Sequence, residues 1–237
     1  MNPALVSAIM PTLDEATVLA GSLQALRMQE GLRELVVVDG GSRDATKSVV
    51  AASRPEFAGR GIDLAWVEDK AGRAAQMNAG AARASGEILL FVHADTHLPD
   101  GAVPAIARSI REGHVGGAFH HRFIEPGVRL AGISFWANLR SGLTHLFFGD
   151  QAIFVRKDLF DLRGGFRLMP IMEDLEFSSR LRARGATRFL PMSVRTSARR
   201  FLSAGLGATC ARMVWLRTSY RLGAAPVTLK RHYPEVR

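Results

Sequence analysis

Apolar runs alternate with helix-like stretches through the first half of the chain. The runs ALVSAIM, ELVVVD, IDLAWVE and EILLFVHA are typical of strands, and residues 14–29, residues 43–53 and the segment GRAAQMNAGAARA have the spacing of helices. Strands that are apolar at every position, such as LVVV and ILLFV, are typical of a parallel sheet covered on both faces. This order predicts an α/β fold with a doubly wound, mostly parallel sheet flanked by helices, which binds ligands beyond the carboxyl ends of its strands.

Beyond residue 98 the alternation is less regular. Residues 100–112 and the segment MEDLEFSSRLRARG, which ends at Gly185, have the spacing of helices, while residues 115–124 and the segment QAIFVR are typical of strands. The intervening segment VRLAGISFWANLRSGLTHLFF is apolar but is interrupted by basic residues. We expect this segment to line an acceptor groove or to lie against lipid rather than to span a bilayer.

The C-terminal part of the chain differs in charge from the rest. Residues 163–237 contain 15 Lys and Arg against 4 Asp and Glu, whereas residues 1–162 contain 16 against 18. Residues 203–222 have the pattern of a basic amphipathic helix. We therefore expect one domain over residues 1–200 and a basic amphipathic extension over residues 201–237. A cationic surface of this kind either attracts phosphate groups or serves as a solvated face.

The composition limits the class of protein and its compartment. A hydrophobic content of 47% in 237 residues is enough for a buried core. The single cysteine, Cys210, excludes a disulfide framework and a cysteine-rich zinc site. The first residues, MNPALVSAIMPT, lack the regions of a signal peptide, and no apolar run reaches the roughly 20 residues of a membrane-spanning helix. We expect a cytoplasmic protein that is either soluble or peripheral at the inner face of the membrane.

Polar residues follow each of the four early strands, and in a parallel sheet these positions lie at one edge. The first strand is followed by PTLDE, in which Thr12 and Glu15 also match the S/T-x-x-E capping box of a helix start. The second strand ends at Asp39, and two glycines let the backbone turn there, although Asp-Gly is also an ordinary turn. Arg73, near the start of the next helix, is placed to meet a phosphate or a base, and Asn78 follows it. We expect a shared ligand site at this edge.

The fourth strand ends in the segment HADTH. Residues two apart in a strand point the same way, so we expect His93, Asp95 and His97 to converge on one cation if the extended geometry continues past the strand. Asp95 is a suitable ligand for Mg²⁺ or Mn²⁺, and imidazole tolerates Mn²⁺ better than Mg²⁺. A site with a single carboxylate depends on substrate phosphates to complete the coordination shell.

The last polar cluster, MEDLEF, places Glu173 and Asp174 at the start of a helix. The helix dipole favours carboxylates at this position for stability alone, so the cluster has a structural as well as a functional interpretation. Adjacent residues on a helix point about 100° apart, so only one of the two aims directly at a substrate. In the segment FFGDQ, Asp150 is a candidate contact for a donor or acceptor sugar, or else an ordinary loop aspartate.

In this order and spacing, PTLDE, VVVDGGSRDAT, GRAAQMNAG, HADT and MEDLEF resemble the motifs of the family 2 glycosyltransferases with the GT-A fold. More narrowly, the chain is similar to the small bacterial branch that carries HADT where other members carry a D-x-D motif. The resemblance covers residues 5 to about 200. It implies an enzyme that transfers a sugar from a nucleoside-diphosphate sugar, with a UDP-sugar favoured.

The resemblance also implies which residues bind the nucleotide. Pro11, Thr12, Glu15 and Asp39 would hold its base and ribose. Arg73 and Asn78 are the other candidates for binding the nucleotide.

By the same resemblance, Asp95 would correspond to the last carboxylate of D-x-D and would bind Mn²⁺ or Mg²⁺ at the diphosphate. His93 stands where the first aspartate of D-x-D usually lies, which departs from the family pattern. Asp174 would be the general base, with Glu173 as the second choice. His97 and Asp150 complete the candidate site as contacts to donor or acceptor.

The pattern Q-x-x-R-W of processive synthases is absent, which favours the transfer of a single sugar, and in-line displacement would invert the anomeric configuration. The acceptor would be a hydroxyl group of a sugar, a lipid or a small molecule. The basic helix in the tail would contact an anionic membrane surface, or would instead cover an edge of the core or a homodimer interface. The tail contains no nucleic-acid-binding module, so nucleic acid is not expected as a partner.

Two other functions remain open on the sequence alone. A nucleotidyltransferase shares the sheet and the metal site but attacks a phosphorus atom, and it usually needs a basic glycine-rich loop after the first strand. The segment PTLDEATVLAG contains no basic residue. A non-catalytic protein that binds anionic lipids or nucleotides would use the basic tail instead.

Overall fold

The computed structural model describes residues 5–233 and is built on a sheet of eight strands in the order β3-β2-β1-β4-β7-β6-β8-β5. The first four strands along the chain are parallel, β7 is antiparallel to both β4 and β6, and β8 is parallel to β6. The strands are β1 Val6–Thr12, β2 Leu32–Asp39, β3 Asp63–Glu68, β4 Ile88–Phe91, β5 Thr96–His97, β6 Gly116–Phe123, β7 Phe154–Arg156 and β8 Thr187–Thr196.

Helices cover both faces of this sheet and continue beyond its last strand. A short 3-10 helix, Gly149–Gln151, precedes β7. The α-helices are α1 Ala16–Arg27, α2 Thr46–Ala58, α3 Arg73–Arg83, α4 Ala102–Arg111, α5 Val128–Thr144, α6 Lys157–Leu162, α7 Glu173–Arg182, α8 Arg199–Ala204, α9 Leu206–Arg221 and α10 Pro226–Lys230.

The side chains of β1 supply both layers of the core. Met10 packs with Leu19 of α1 in one hydrophobic cluster, and Ile9 packs with Met77 of α3 in the other. Each such fully buried apolar side chain stabilises the fold by about 1.5–3 kcal/mol. Gly80 lets α3 approach the sheet closely, because a Cβ atom there would lie 3.0 Å from Cγ2 of Val38. The predicted α/β fold with a mostly parallel, doubly wound sheet is confirmed.

The C-terminal extension packs against α7. Leu216 of α9 and Leu229 of α10 form a third buried cluster with Ile171, Met172 and Leu175. The outermost residues of the predicted domain and extension, 1–4 and 234–237, lie outside the described residues.

The expected single helix over residues 203–222 is divided in two. Gly205, with a φ of 81°, separates α8 from α9, and this left-handed backbone conformation favours glycine. Strand β8 was not anticipated. Its alternating buried and exposed residues include Pro191, so it lacks the continuous apolar run of the early strands. None of the helices in residues 5–233 combines the length and the apolar character needed to cross a bilayer.

Candidate active site

A cavity of about 910 Å³ lies beyond the last residue of β4 and beside the first turn of α7. Residues of α5, α8 and α9 form its other walls. It brings together five of the residues predicted from the sequence, and its apolar wall comes from residues of the C-terminal half. The predicted residues that line it are Arg73, His93, Asp95, Asp150 and Asp174.

Asp174 lies in the first turn of α7 and is held from two sides. Its Oδ2 accepts a hydrogen bond of 2.8 Å from the backbone N–H of Gly149, and its Oδ1 accepts one of 2.7 Å from the N–H of Leu175. Burial, and then the neighbouring Glu173, raise the pKa of Asp174 to about 6, against the opposing effects of Arg73 and these hydrogen bonds. A carboxylate with such a pKa is ionised at pH 7 and is a suitable proton acceptor.

Glu173 does not line the cavity and forms an ion pair with Arg73. Its side chain is 2% exposed, and Oε1 lies 2.9 Å from Nε of Arg73. Glu173 raises the pKa of Arg73, and Arg73 also hydrogen-bonds Tyr233. The geometry therefore separates the two adjacent carboxylates: Asp174 faces the cavity, and Glu173 anchors the arginine that lines it.

His93 lies under the loop that carries Gly149. A Cβ atom on Gly149 would lie 2.6 Å from both Cε1 and Nε2 of His93, closer than real Cβ contacts, so only glycine fits there. Burial, and then the charge of Arg73, lower the pKa of His93, which is therefore neutral at pH 7.

The prediction that His93, Asp95 and His97 converge on one cation is wrong. The strand does not continue: the N–H of Thr96 donates a 3.0 Å hydrogen bond to the carbonyl of His93, which forms a turn. His97 then lies in β5, paired with β8, and its ring packs against Gly21 of α1 rather than lining the cavity. The donor or acceptor contact predicted for His97 is therefore not available in this cavity.

Asp95 remains as the cavity carboxylate next to the end of β4. Its Oδ2 lies 3.7 Å from Nη2 of Arg199, which donates hydrogen bonds of 3.0 and 2.8 Å to the two carboxylate oxygens of Glu15. Within residues 5–233, no three His, Cys, Asp or Glu side chains form a complete metal site. A single carboxylate of this kind fits a hard divalent cation whose other ligands come from substrate phosphates and water.

The predicted nucleotide-binding residues at the ends of β1 and β2 lie along the same sheet edge but outside the cavity. Thr12 pairs in register with Asp39. Asp39 is 5% exposed, and its carboxylate accepts hydrogen bonds from the N–H groups of Gly41 and Ser42 and from the hydroxyl of Ser42. Pro11 is buried beside Thr12. Of the predicted carboxylates Asp39, Asp95 and Asp174, only the last two line the cavity.

The capping box expected from Thr12 and Glu15 is not formed. The hydroxyl of Thr12 donates to the carbonyl of Val38, and α1 begins without a side-chain cap. Glu15 instead binds Arg199, and burial raises its pKa.

Asn78 has a structural role that differs from the predicted contact with the nucleotide. Its Nδ2 donates to the carbonyl of Phe166 at 2.8 Å, and its Oδ1 accepts from the N–H of Phe166 at 2.9 Å. Because both polar atoms are used, the side chain ties α3 to the loop before α7 and is not placed to bind a nucleotide.

Several cavity residues were not identified from the sequence, and most of them come from α5 and the C-terminal extension. For α5 the signal was the apolar segment that was expected to line an acceptor groove, and for the extension it was the excess of positive charge, but neither indicated individual positions. These residues include Arg140, Phe148, Gly149, Arg199, Arg200, Arg217 and Tyr233.

Comparison with known proteins identifies the family. The family model "Glycosyl transferase family 2" matches residues 7–170. The PGL/p-HBAD biosynthesis glycosyltransferase of Mycobacterium bovis (strain BCG / Pasteur 1173P2) is 32% identical, and the match covers 100% of this chain and 93% of that protein. The uncharacterized protein MT1568 of Mycobacterium tuberculosis is 29% identical, with 82% of this chain and 68% of that protein covered.

Two solved structures show the same fold at lower identity. The mannosyltransferase PcManGT from Pyrobaculum calidifontis, in complex with GDP-Man and Mn²⁺, has a TM-score of 0.67 at 21% identity, covering 97% of this chain and 68% of that chain. S. aureus TarS 1–349 has a TM-score of 0.59 at 20% identity, and the match spans 82% of this chain but only 58% of TarS 1–349. The sheet is of the GT-A type, and the chain belongs to glycosyl transferase family 2.

Proposed function

We propose that this glycosyltransferase moves a single sugar from a nucleoside-diphosphate sugar to an acceptor hydroxyl group, with inversion at the anomeric carbon. The observation that carries the proposal is the shared cavity of Asp174 and Asp95. One carboxylate has a pKa suited to proton abstraction, and the other is suited to the cation of a diphosphate.

Asp174 is the general base of this proposal. It takes the proton of the acceptor hydroxyl while that oxygen forms a bond to the anomeric carbon. The bond from the anomeric carbon to the diphosphate oxygen breaks, and the nucleoside diphosphate leaves. The hydrogen bond from Gly149 fixes Oδ2, so the orientation of the base is set before the acceptor arrives.

Asp95 would hold the divalent cation, Mn²⁺ or Mg²⁺, which when bound neutralises the charge that develops on the departing diphosphate. Arg73 also lines the cavity and supplies a positive charge whose position is set by Glu173. The relatives support this choice of donor and cation, since TarS is known in complex with UDP and UDP-GlcNAc and PcManGT in complex with GDP-Man and Mn²⁺.

We place the nucleoside at the ends of β1 and β2, next to the cavity. Thr12 and Asp39 lie there side by side, and Gly41 leaves open space, because a Cβ atom on it would meet nothing within 4 Å. Arg199 connects this edge to the cavity through Glu15 and lies near Asp95.

We further propose that the enzyme works at an anionic membrane surface. The outer face of α5 exposes a row of apolar side chains at helical spacing: Val128, Phe135, Leu139 and Leu143. Residues 201–237 contain six Lys and Arg against one Glu, so the charge of this extension is complementary to anionic headgroups. An apolar face with this flanking charge fits the interface of a bilayer.

The experiment that tests sugar transfer separates it from nucleotidyl transfer. The protein is incubated with UDP-, GDP- and dTDP-sugars, with and without Mn²⁺, and nucleoside diphosphate and pyrophosphate are both measured. We expect release of a nucleoside diphosphate from one class of donor, enhanced by Mn²⁺. Release of pyrophosphate instead, or binding of nucleotides and lipids without any turnover, contradicts the proposal.

A further inference from the structure

Two arginines from different helices lie near the same aromatic ring in the cavity. The guanidinium carbon of Arg140, on α5, lies 4.2 Å from the ring centroid of Phe148, and that of Arg217, on α9, lies 5.8 Å from it. Both arginines and the phenylalanine line the cavity.

Neither arginine is in direct contact with a carboxylate of residues 5–233, although the charge of Asp150 acts on both. In the part of the chain from residue 5 to residue 233, no carboxylate lies within 4.0 Å of either guanidinium. Nη2 of Arg140 donates to the hydroxyl of Ser141 at 3.1 Å, while its Nε is buried without a partner among the same residues. Two partly buried guanidinium groups beside one ring, neither of them in an ion pair, favour the binding of an anion.

The electrostatics of the pair agree with this geometry. Burial, and then the charge of Arg217, lower the pKa of Arg140 to about 10, although Asp150 and Asp174 oppose the shift. Burial, and then Arg221, lower the pKa of Arg217. For both arginines, burial and a neighbouring arginine therefore outweigh the opposing charge of Asp150.

The pair lies on the side of the base rather than on that of the donor. Phe148 immediately precedes Gly149, whose N–H holds Asp174. Two other arginines that line the cavity already have carboxylate partners, because Arg73 is paired with Glu173 and Arg199 with Glu15. The wall next to the pair is apolar and consists of Ile133, Trp136, Met213 and Val214.

We infer that Arg140 and Arg217 form a binding site for a phosphate group carried by the acceptor, next to the hydroxyl that receives the sugar. The inference rests on the proposed function, because it assigns the acceptor side of the same cavity. Planar guanidinium groups bind phosphate oxygens through paired, charge-assisted hydrogen bonds. The phosphate belongs either to the headgroup of a lipid, whose chain contacts the apolar wall, or to a small phosphorylated acceptor.

The test is calorimetric titration of the full chain with decyl phosphate, inorganic phosphate and decanol, each in the presence of UDP or GDP. We expect decyl phosphate to bind at least about tenfold more weakly to R140Q and R217Q than to the wild type, since a charge-assisted hydrogen bond contributes about that factor. Binding of decanol should not change. Tighter binding of decyl phosphate than of inorganic phosphate identifies a lipid acceptor, and equal binding identifies a small one.

R60Q is the matched control, because Arg60 is exposed beyond the end of α2 and far from the cavity in the fold. R140K keeps the charge of the buried position, and the melting temperature of each variant checks that it is folded. Equal affinity of decyl phosphate for the wild type, R60Q, R140Q and R217Q overturns the inference. So does a loss of UDP or GDP binding in R140Q and R217Q with decyl phosphate unaffected, because the pair then serves the donor.

Failure of the inference and failure of the proposed function give different results. If the arginine pair does not bind phosphate, the wild type still releases nucleoside diphosphate from its sugar donor. If the proposed function is wrong, the wild type turns over no nucleotide-sugar, whatever the outcome of the titrations.

Discussion

The backbone N–H of Gly149 donates a 2.8 Å hydrogen bond to Oδ2 of Asp174, and these two residues come from different parts of the sheet edge. Gly149 belongs to the 3-10 helix before β7, and Asp174 to the first turn of α7. The ring of His93 lies so close to Gly149 that a Cβ atom added there would collide with it. The position of the candidate base therefore depends on a glycine packed on a buried histidine.

Replacement of Gly149 by alanine should impair catalysis more than folding. The added Cβ atom collides with the His93 ring at 2.6 Å and must displace the loop, and with it the N–H that holds Asp174. We expect kcat to fall about 10- to 100-fold, because displacements near 1 Å have effects of this size. The free energy of unfolding should fall by about 1–3 kcal/mol, as for other overpacked sites.

Gly142→Ala is the control for this variant, because Gly142 lies in α5 and a Cβ atom there meets only Phe189, at 3.7 Å. Its stability should rise by about 0.5–1 kcal/mol, and its kcat should not change. Steady-state kinetics and thermal denaturation of both variants supply the comparison. A Gly149→Ala enzyme with wild-type kcat contradicts the role assigned to the glycine.

The activity should depend on pH through Asp174. A general base acts in its ionised form, so kcat/KM should rise with pH through about 6 and level off above pH 7. Glu173 and Arg73 also lie near this carboxylate but are bound in an ion pair, and burial lowers the pKa of the nearby His93 below that of a free imidazole. The profile is measured as initial rates between pH 4.5 and pH 8.5 (about two units around the predicted midpoint).

In Gly149→Ala the same limb of the profile should move to higher pH. The hydrogen bond from Gly149 lowers the pKa of Asp174, so its loss raises that pKa. A profile without a limb near pH 6 in the wild type, or an identical limb in both enzymes, argues against Asp174 as the titrating group.

Asp95→Asn should remove the dependence of donor binding on the divalent cation. The amide keeps the shape of the side chain but loses the charge that a hard cation requires. We expect Mn²⁺ to strengthen the binding of UDP or GDP to the wild type and to have little effect on the variant, as measured by calorimetry. Asp100→Asn is the control, since Asp100 is exposed. An Asp95→Asn protein that responds to Mn²⁺ like the wild type excludes Asp95 as the ligand.

The exposed face of α5 should be needed for binding to anionic vesicles. Leu139 and Leu143 are 39% and 76% exposed, and burial of such side chains in the bilayer interface favours binding. We expect the double variant L139S/L143S to bind vesicles that contain phosphatidylglycerol about tenfold more weakly in co-sedimentation assays. Binding of the wild type should also weaken with salt.

L162S/L168S is the matched control for the membrane variant, because Leu162 and Leu168 are 71% and 77% exposed but lie outside α5. This control should bind vesicles like the wild type. Equal vesicle binding by L139S/L143S and the wild type shows that α5 is not the docking face.

The early part of the fold follows from the sequence because its strands are buried on both faces. Continuous apolar runs such as those of β1 and β2 are typical of strands in a parallel sheet that is covered on both faces. Strand β8 was missed for the opposite reason, since it alternates between buried and exposed positions and contains a proline. The sequence pattern therefore predicts a strand reliably when all of its residues are buried, and less reliably when only some of them are.

Individual site residues could be predicted from the sequence only where their roles depend on a single helix or strand. The sequence indicates that Glu173 and Asp174 differ in direction, but the choice between them depends on Arg73, which is 100 residues away along the chain. Arg199 contacts Glu15 across 184 residues, a relationship that no local spacing contains. The position of His97 was predicted wrongly because the chain forms a turn after His93 and does not stay extended.

The most direct test of the whole account is the turnover of Asp174→Asn. Release of nucleoside diphosphate is measured with the best donor and acceptor for the wild type, the variant and the control Asp161→Asn, whose aspartate is 56% exposed in α6. The account predicts that kcat of Asp174→Asn falls by about 10² to 10⁴ while its affinity for the donor is retained, because only the proton acceptor is lost. Turnover of Asp174→Asn equal to that of Asp161→Asn and the wild type would contradict it.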